Sequence, residues 1–550
     1  MFKINFLSIE IILFIVLFLF FSIYKQRLIS FKILKNIVAF ANKKGLVVAF
    51  IIMYIMLFNV ILFVIEKPSA KMIDELSYVF QAKTFLEGRL VNPTPPQWEH
   101  FQTFFIVPKP YFVSKFPPGQ ALFMALGGLI SGEFVVGIWI IFILACVATY
   151  WMLLAYVKPH WAFLGVFAVA SNGHLLLEWS NTYWGGALPM LGGALVFGAI
   201  KRIVDTNSKP LLNGILLALG VAILAYSRPF EGLIASISII FPVFFGKVFS
   251  KYSFKFLLVK TIFPALIIII LALGFLFHYN KSITGSYSSL PYNLYHSRYE
   301  TARSFLFQKP HETPEGIPYQ MEKFHNNEKK RYFNRRSSIP GFLKGVADKL
   351  FMFGRYYVRV VYLIPFLFFL FSPKHIWQKY SLGVLLVLLL SNFITTWNET
   401  YYIAPITVLF IYMIISGFRS LSFRRWKYYR TTVNTIIVLI LLHPFIGVAA
   451  HIKRDKSDFT SIKTNHITKL NANDKKDLII VHYEPEHKSN NDFVYNEPDI
   501  ENADVIWARD LGENKNNELI DYFKERNIWY FFPDEDPDTL VKYEDLANKI

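Results

Sequence analysis

Residues 71–90 read KMIDELSYVFQAKTFLEGRL. They follow directly on an apolar run, 45–65, of about the 20 residues needed to cross a bilayer. The chain leaves a membrane and at once places two adjacent acids, Asp74 and Glu75, at the head of an amphipathic helix. Asp74 or the residue before it is expected to cap that helix. Tyr78, Phe85 and nearby leucines make its apolar stripe, and Gly88 ends it. On these residues alone an interfacial helix suffices, because acids are favoured at the positive end of a helix dipole.

The rest of the chain sets that helix in a membrane protein. The 550 residues are 54% hydrophobic and 17% aromatic, with 55 Phe, which is too apolar for one soluble domain. The one cysteine, Cys146, lies in an apolar run and excludes both an intrachain disulfide framework and a cysteine metal cluster. The formal charge of +18 sits mostly in short clusters between apolar runs, where Lys and Arg set orientation and meet anionic headgroups rather than nucleic acid.

Hydropathy gives about twelve spans. The first, 9–24, has one nearby N-terminal lysine and no small-residue cleavage site, so it reads as an uncleaved span. The others are 45–65, 134–156, 161–177, 185–201, 211–227, 229–247, 257–278, 351–372, 379–396, 400–418 and 431–450. The basic stretch KQRLISFKILKNIVAFANKKG after the first span is cytoplasmic. Strict alternation then places Lys158, the Lys201/Arg202/Lys209 group, the Lys247/Lys251/Lys255/Lys260 group, Lys374 with Lys379, and RSLSFRRWKYYR (419–430) on that same side. Three long segments fall on the outer side: 66–133, 279–350 and the tail from 451. In the tail DLIIVHYE, ADVIWARD and NIWYFFPD read as strands and NKNNELIDYFKER as a helix. The expected organisation is a transmembrane domain, 1–450, that includes both outer loops, and a small soluble α/β domain, 451–550.

The segment after the helix, NPTPPQWEHFQTFFIVPKPYFVSKFPPGQALFMALGGLISG (92–132), is rich in prolines and aromatics and reads as a structured loop hugging the surface. Lys115 stands just before Pro117 and Pro118, where the chain returns to the membrane. An acid pair and a cation at one membrane face suit a reaction on a lipid phosphate: a carboxylate takes the proton of an attacking hydroxyl and a cation stabilises the departing phosphate.

This arrangement resembles the first outer loop of the GT-C glycosyltransferases. It is most similar to the bacterial relatives of protein O-mannosyltransferases and lipid A aminoarabinose transferases, in the manner of glycosyltransferase family 39. The resemblance is strongest over 66–135 and extends in hydropathy to about residue 450. SNTYWGGALPMLGGALVFGAIKR, YSRPFEG and VYNEPDIENADVIWARD are similar to a bacterial subgroup carrying a general glycosyltransferase label. The resemblance implies a polytopic α-helical GT-C fold that moves a hexosyl or pentosyl group from a polyprenyl-phosphate carrier to an acceptor hydroxyl on the outer face of the inner (plasma) membrane. Acceptors would be glycans, lipids or proteins. By the same resemblance Asp74 is the general base, Glu75 its neighbour, and Lys115 a contact to the donor phosphate, with Phe116 intervening before the two prolines. A divalent metal is left open.

Other residues keep two readings. Glu178 in HLLLEWSNTYWGG is an interfacial acid among belt aromatics or a second acid of the site. Arg228 in YSRPFEG pairs with Glu231 or clamps a phosphate through bidentate hydrogen bonds. Gly185, Gly186, Gly192 and Gly193 read as permitting close helix packing. Tyr401 and Tyr402 are belt residues first, and the Asn398 sequon reads as accidental. His296, His311 and His325 lack helical metal-ligand spacing, so no metal is expected on them. His482 and His487 read as a solvated turn. No P-loop, G-x-S-x-G or H-E-x-x-H is present, so a donor has to arrive through the lipid. The alternative from another class is a transporter or lipid flippase. Against it, the chain shows no paired inverted halves and carries its unusual charges on one face rather than at the midplane.

Overall fold

A computed structural model describes residues 6–24, 31–205, 209–243, 254–312, 314–423, 428–452, 459–470 and 475–548. Lys247, Lys251, Arg424, Arg425 and Lys427 of the expected cytoplasmic clusters lie outside these residues. The chain divides into two compact units. Unit 1 is Met1–Pro68, Val135–Gly274 and Phe342–Arg454; unit 2 is Ser69–Phe134, Phe275–Gly341 and Asp455–Ile550.

Among the described residues nine helices are long and apolar enough to span a membrane, beginning with Lys44–Ile65 and ending with Tyr429–Ala449. The expected span at 161–177 is broken into Pro159–Ala170 and Gly173–Ser180, bent by 61°. The cause is local: Asn172 Oδ1 accepts the N–H groups of His174 and Leu175 at 3.1 and 3.3 Å and so caps a new helix. The first expected span is a shorter apolar helix, Ser8–Tyr24. The one expected at 229–247 is described only as Pro229–Val243, its remainder falling outside the described residues.

Burial sorts the unit 1 helices by role. Ala187–Asp205 and Thr400–Leu421 are enclosed on nearly all sides. Gly193 lets them meet, because a Cβ built there would lie 1.8 Å from the Pro405 carbonyl oxygen, on backbone that cannot swing aside. Gly186 packs in the same way against the Trp179 ring. Gly193→Ala is therefore expected to destabilise unit 1 by about 1–3 kcal/mol through overpacking. The check is the thermal unfolding midpoint in detergent, against an exposed Gly274→Ala control whose Cβ meets nothing.

One ionic cluster in unit 1 was not foreseen. Glu10, fully buried, accepts from Arg359 Nη2 at 2.7 Å and from His443 Nε2 at 2.5 Å. The Gly173 N–H donates to His443 Nδ1 at 2.6 Å, which fixes the imidazole proton on Nε2. One carboxylate joins three separate segments, and His443 ties in a fourth at Gly173.

Unit 2 is built from the two segments expected on the outer side and the tail. A short hairpin, β1 (Ile106–Val107) and β2 (Val113–Ser114), packs beside the helix Ile73–Leu86. In the tail, β3 (Asp477–Val481), β4 (Val505–Arg509), β5 (Asn527–Phe531) and β6 (Leu540–Lys542) form one sheet in the order β4-β3-β5-β6. The first three strands are parallel and β6 is antiparallel at the edge. All five residues of β3 are buried, as a central parallel strand requires. Trp507, Phe493 and Phe531 form the aromatic centre of the tail core, with the helix Phe459–Leu470 against them.

Candidate active site

The helix Ile73–Leu86 starts one residue before Asp74, with Met72 in the N-cap position. Glu75 Oε2 reaches back to accept the N–H groups of Lys71 and Met72 at 2.8 and 3.0 Å. That satisfies donors a helix start otherwise leaves open. Glu75 is buried in this role, whereas Asp74, one turn position earlier, is half-buried.

Along the helix the inward face is polar where it meets the hairpin. Ser77 Oγ donates to the Phe105 carbonyl at 2.9 Å and bonds Ser114 Oγ at 2.8 Å. Gln81 Nε2 donates to the Phe116 carbonyl at 2.9 Å and to the Tyr279 hydroxyl at 2.5 Å. Tyr78 stacks on Phe116 with centroids 4.3 Å apart. These contacts hold residues 114–116 against the helix, so Asp74, Glu75 and Lys115 belong to one packed body.

Lys115 is buried. Its Nζ lies 3.5 Å from the Phe105 ring centroid and 4.6 Å from that of Tyr295, with Glu300 Oε1 at 3.6 Å. Aromatic faces and a carboxylate both attract an ammonium group electrostatically. Glu300 is buried too, and desolvation outweighs Lys115 to push its carboxyl above the ordinary glutamate value. His296 Nε2 stands 3.7 Å from Glu300 Oε2, and burial holds that imidazole well below its ordinary value and so neutral.

Glu300 is the residue the sequence reading missed. His325 and Glu328 sit nearby, three apart on the helix Tyr319–Arg336, with His325 Nδ1 3.0 Å from Glu328 Oε2. Together Glu300, His325 and Glu328 offer one ligand atom each, all within 4.8 Å of one another, a grouping able to hold a metal ion. The signal lay in the H-x-x-E spacing 325–328, invisible when histidines alone are compared.

Arg228 and Glu178 lie in unit 1. The Arg228 guanidinium stands 3.9 Å from the Tyr401 ring centroid and 5.3 Å from that of Tyr402, and Tyr401 packs against Trp184 at 5.5 Å. Glu178 is 3.9 Å from His174 Nδ1. The two tyrosines expected to serve as membrane-belt residues thus also cradle an arginine.

In the tail, the histidines of HYEPEH are both bonded. His482 Nδ1 is 2.7 Å from Asp510 Oδ2, and His487 Nδ1 is 2.8 Å from Asp534 Oδ1. They lie at the carboxyl ends of β3, β4 and β5, where α/β sheets place their polar loops.

No protein-family model and no curated protein matches the sequence. Among solved structures, ArnT from Cupriavidus metallidurans bound to undecaprenyl phosphate matches at TM-score 0.52 and 10% identity, covering 91% of this chain and 95% of that one. The apo oligosaccharyltransferase of Archaeoglobus fulgidus matches at TM-score 0.41 and 11% identity, covering 80% of this chain. The chain spans 62% of that structure's length. The oligosaccharyltransferase AglB from Archaeoglobus fulgidus, in complex with an inhibitory peptide and a dolichol-phosphate, matches at TM-score 0.42 and 11% identity, covering 88% of this chain and 69% of that one. The near full-length match to ArnT, with many apolar helices and a small terminal sheet, establishes that the chain has the GT-C fold.

Proposed function

We propose that this protein is a membrane glycosyltransferase that moves a hexosyl or pentosyl group from a polyprenyl-phosphate carrier to an acceptor hydroxyl. The acceptor is a glycan, lipid or protein at the outer face of the inner (plasma) membrane. The observation that carries the reading is a half-buried acid in the first turn of a helix locked against the hairpin that bears Lys115, within a fold that ArnT, solved with undecaprenyl phosphate, shares.

In this reading the acceptor hydroxyl gives its proton to Asp74 as its oxygen attacks the anomeric carbon from the face opposite the phosphate. The bond from that carbon to the phosphate oxygen breaks, and its electron pair leaves with the polyprenyl phosphate. Configuration inverts. Charge grows on the leaving oxygen, so cations fixed beforehand stabilise the transition state more than the ground state. Lys115 and Arg228 are each assigned to the phosphate. Lys115 is separated from Glu300 by more than a hydrogen bond, so a dianionic headgroup competes favourably for its ammonium. Glu75 orients Asp74 by fixing the helix start, and Glu178 is a candidate second acid.

The test is carrier release. The purified chain is reconstituted with polyprenyl-phosphate sugar extracted from host membranes and with an envelope fraction as acceptor. Free polyprenyl phosphate should accumulate with time and acceptor. If the carrier lipid crosses the bilayer intact with no sugar lost, the transporter reading replaces this one.

A further inference from the structure

We propose that Tyr495, from the tail, is a positioning residue of this site, whose hydroxyl fixes the spacing between Asp74 and Lys115. The hydroxyl donates to the Phe104 carbonyl at 2.5 Å and stands 3.2 Å from the Ile73 carbonyl, so its one proton is shared between the two. Ile73 directly precedes Asp74 in the first turn of its helix. Phe104 directly precedes Phe105, whose ring centroid lies 3.5 Å from the Lys115 ammonium and whose carbonyl accepts the Lys115 backbone N–H at 3.0 Å. One side chain thus bridges the backbone beside the acid and the backbone beside the cation. The roles of that acid and that cation rest on the transferase reading; the bridge itself does not.

Two further features point the same way. Phe105 has a φ of 61°, in the left-handed region that a bulky side chain seldom enters and that persists only where the surroundings enforce it. Bonds on both sides hold it there: the Phe104 carbonyl by Tyr495, and the Phe105 carbonyl by Ser77 Oγ and the Lys115 amide. Tyr495 in turn lies in a stretch, 491–497, that is neither helix nor strand and is nonetheless tightly bonded. The Val494 N–H donates to Asp492 Oδ1 at 3.1 Å and the Phe493 N–H to the Tyr483 hydroxyl at 2.7 Å. Asn496 exchanges two bonds of 2.8 Å with the Trp507 backbone. Lys463 Nζ donates to the Phe493 carbonyl at 2.7 Å and also to the Tyr495 carbonyl. An irregular segment so fully bonded presents its side chain from a fixed support. Burial, followed by the Asp492 and Asp74 carboxylates, keeps the Tyr495 hydroxyl well above the ordinary tyrosine value, so it stays a donor.

The test compares Tyr495→Phe, which keeps the ring, with Tyr332→Phe, which removes another buried hydroxyl of unit 2, bonded to the Gln308 carbonyl. Hydrogen exchange read by mass spectrometry on the full chain in detergent should quicken over 73–77 and 104–107 in Tyr495→Phe and stay at wild-type rates there in Tyr332→Phe. Carrier release should give a kcat lower by about 10–10²-fold in Tyr495→Phe with the acceptor KM unchanged, and wild-type values in Tyr332→Phe. A spacing matters only while both groups are present, so the loss should vanish when Tyr495→Phe is added to Asp74→Asn. Unaltered exchange at 73–77, a wild-type kcat in Tyr495→Phe, an equal loss in Tyr332→Phe, or a full further loss on top of Asp74→Asn overturns the proposal. Wild type that releases no carrier defeats the transferase reading instead, and the exchange comparison still decides whether Tyr495 fixes the backbone beside both groups.

Discussion

Replacing Asp74 with asparagine is expected to lower sugar transfer by about 10²–10⁴-fold, the usual contribution of a general base, with the fold retained. Asparagine is isosteric and tolerated in the first helical turn, and the cap is made by Glu75 through the Lys71 and Met72 amides. The lost favourable dipole contact is worth under about 1 kcal/mol. Glu75→Ala should behave differently: it removes the cap, costs about 1 kcal/mol of stability and lowers transfer only as far as the helix start loosens. The comparison needs initial rates and melting midpoints for both variants. Equal rates for Asp74→Asn and wild type would remove Asp74 from the chemistry, while a larger rate loss in Glu75→Ala would exchange the two roles.

Asp492→Ala is expected to destabilise unit 2 by about 3–5 kcal/mol, because it strands a buried guanidinium. Asp492 Oδ2 accepts from Arg509 Nη2 at 2.9 Å and from Thr103 Oγ1 at 2.8 Å, and Oδ1 accepts from the Tyr483 hydroxyl at 2.7 Å. Arg509 reaches in turn to the Gln320 side chain and the Gln102 carbonyl, both at 3.2 Å. The Asp492–Arg509 pair therefore joins the tail to both segments, 66–133 and 279–350. At roughly 2–4 °C per kcal/mol for a unit of this size, the midpoint should fall by about 6–20 °C. The exposed Lys83–Glu497 pair also joins the tail to the first of these segments but should matter little, since screened surface pairs contribute weakly. A midpoint unmoved by Asp492→Ala would mean that the tail is held by its apolar core alone.

Local signals carried most of the fold. Long apolar runs marked the spans, short apolar runs marked β3, β4 and β5, and helical spacing of apolar residues marked the helix Glu513–Tyr522. The edge strand β6 escaped because Leu540–Lys542 is three residues long and borders charged residues. The break at Ser171-Asn172-Gly173 carries a cap signature that a hydropathy window averages away. The two acids were visible, but the expectation that Asp74 or the residue before it caps the helix is corrected: Met72 is the N-cap and Glu75 reaches back to the Lys71 and Met72 amides, a reach no local signal gives. Glu300 was hidden for another reason. A lone glutamate in an irregular stretch acquires meaning only when folding brings Lys115, 185 positions earlier in the chain, to its side. The Glu10, Arg359 and His443 cluster is likewise a product of long-range packing that no window of sequence contains.

The central claim is the proposal that Asp74 and Glu75 serve a sugar carried on polyprenyl phosphate. Native mass spectrometry of the full chain in mild detergent tests it most directly, comparing wild type with Lys115→Ala and Arg228→Ala, each alone and together. The account predicts wild type bound to one polyprenyl phosphate or its glycosylated form, weaker binding in each single variant and none in the double. Wild type that takes up no carrier lipid even when it is supplied, or a double variant that binds it as tightly as wild type, would contradict the account.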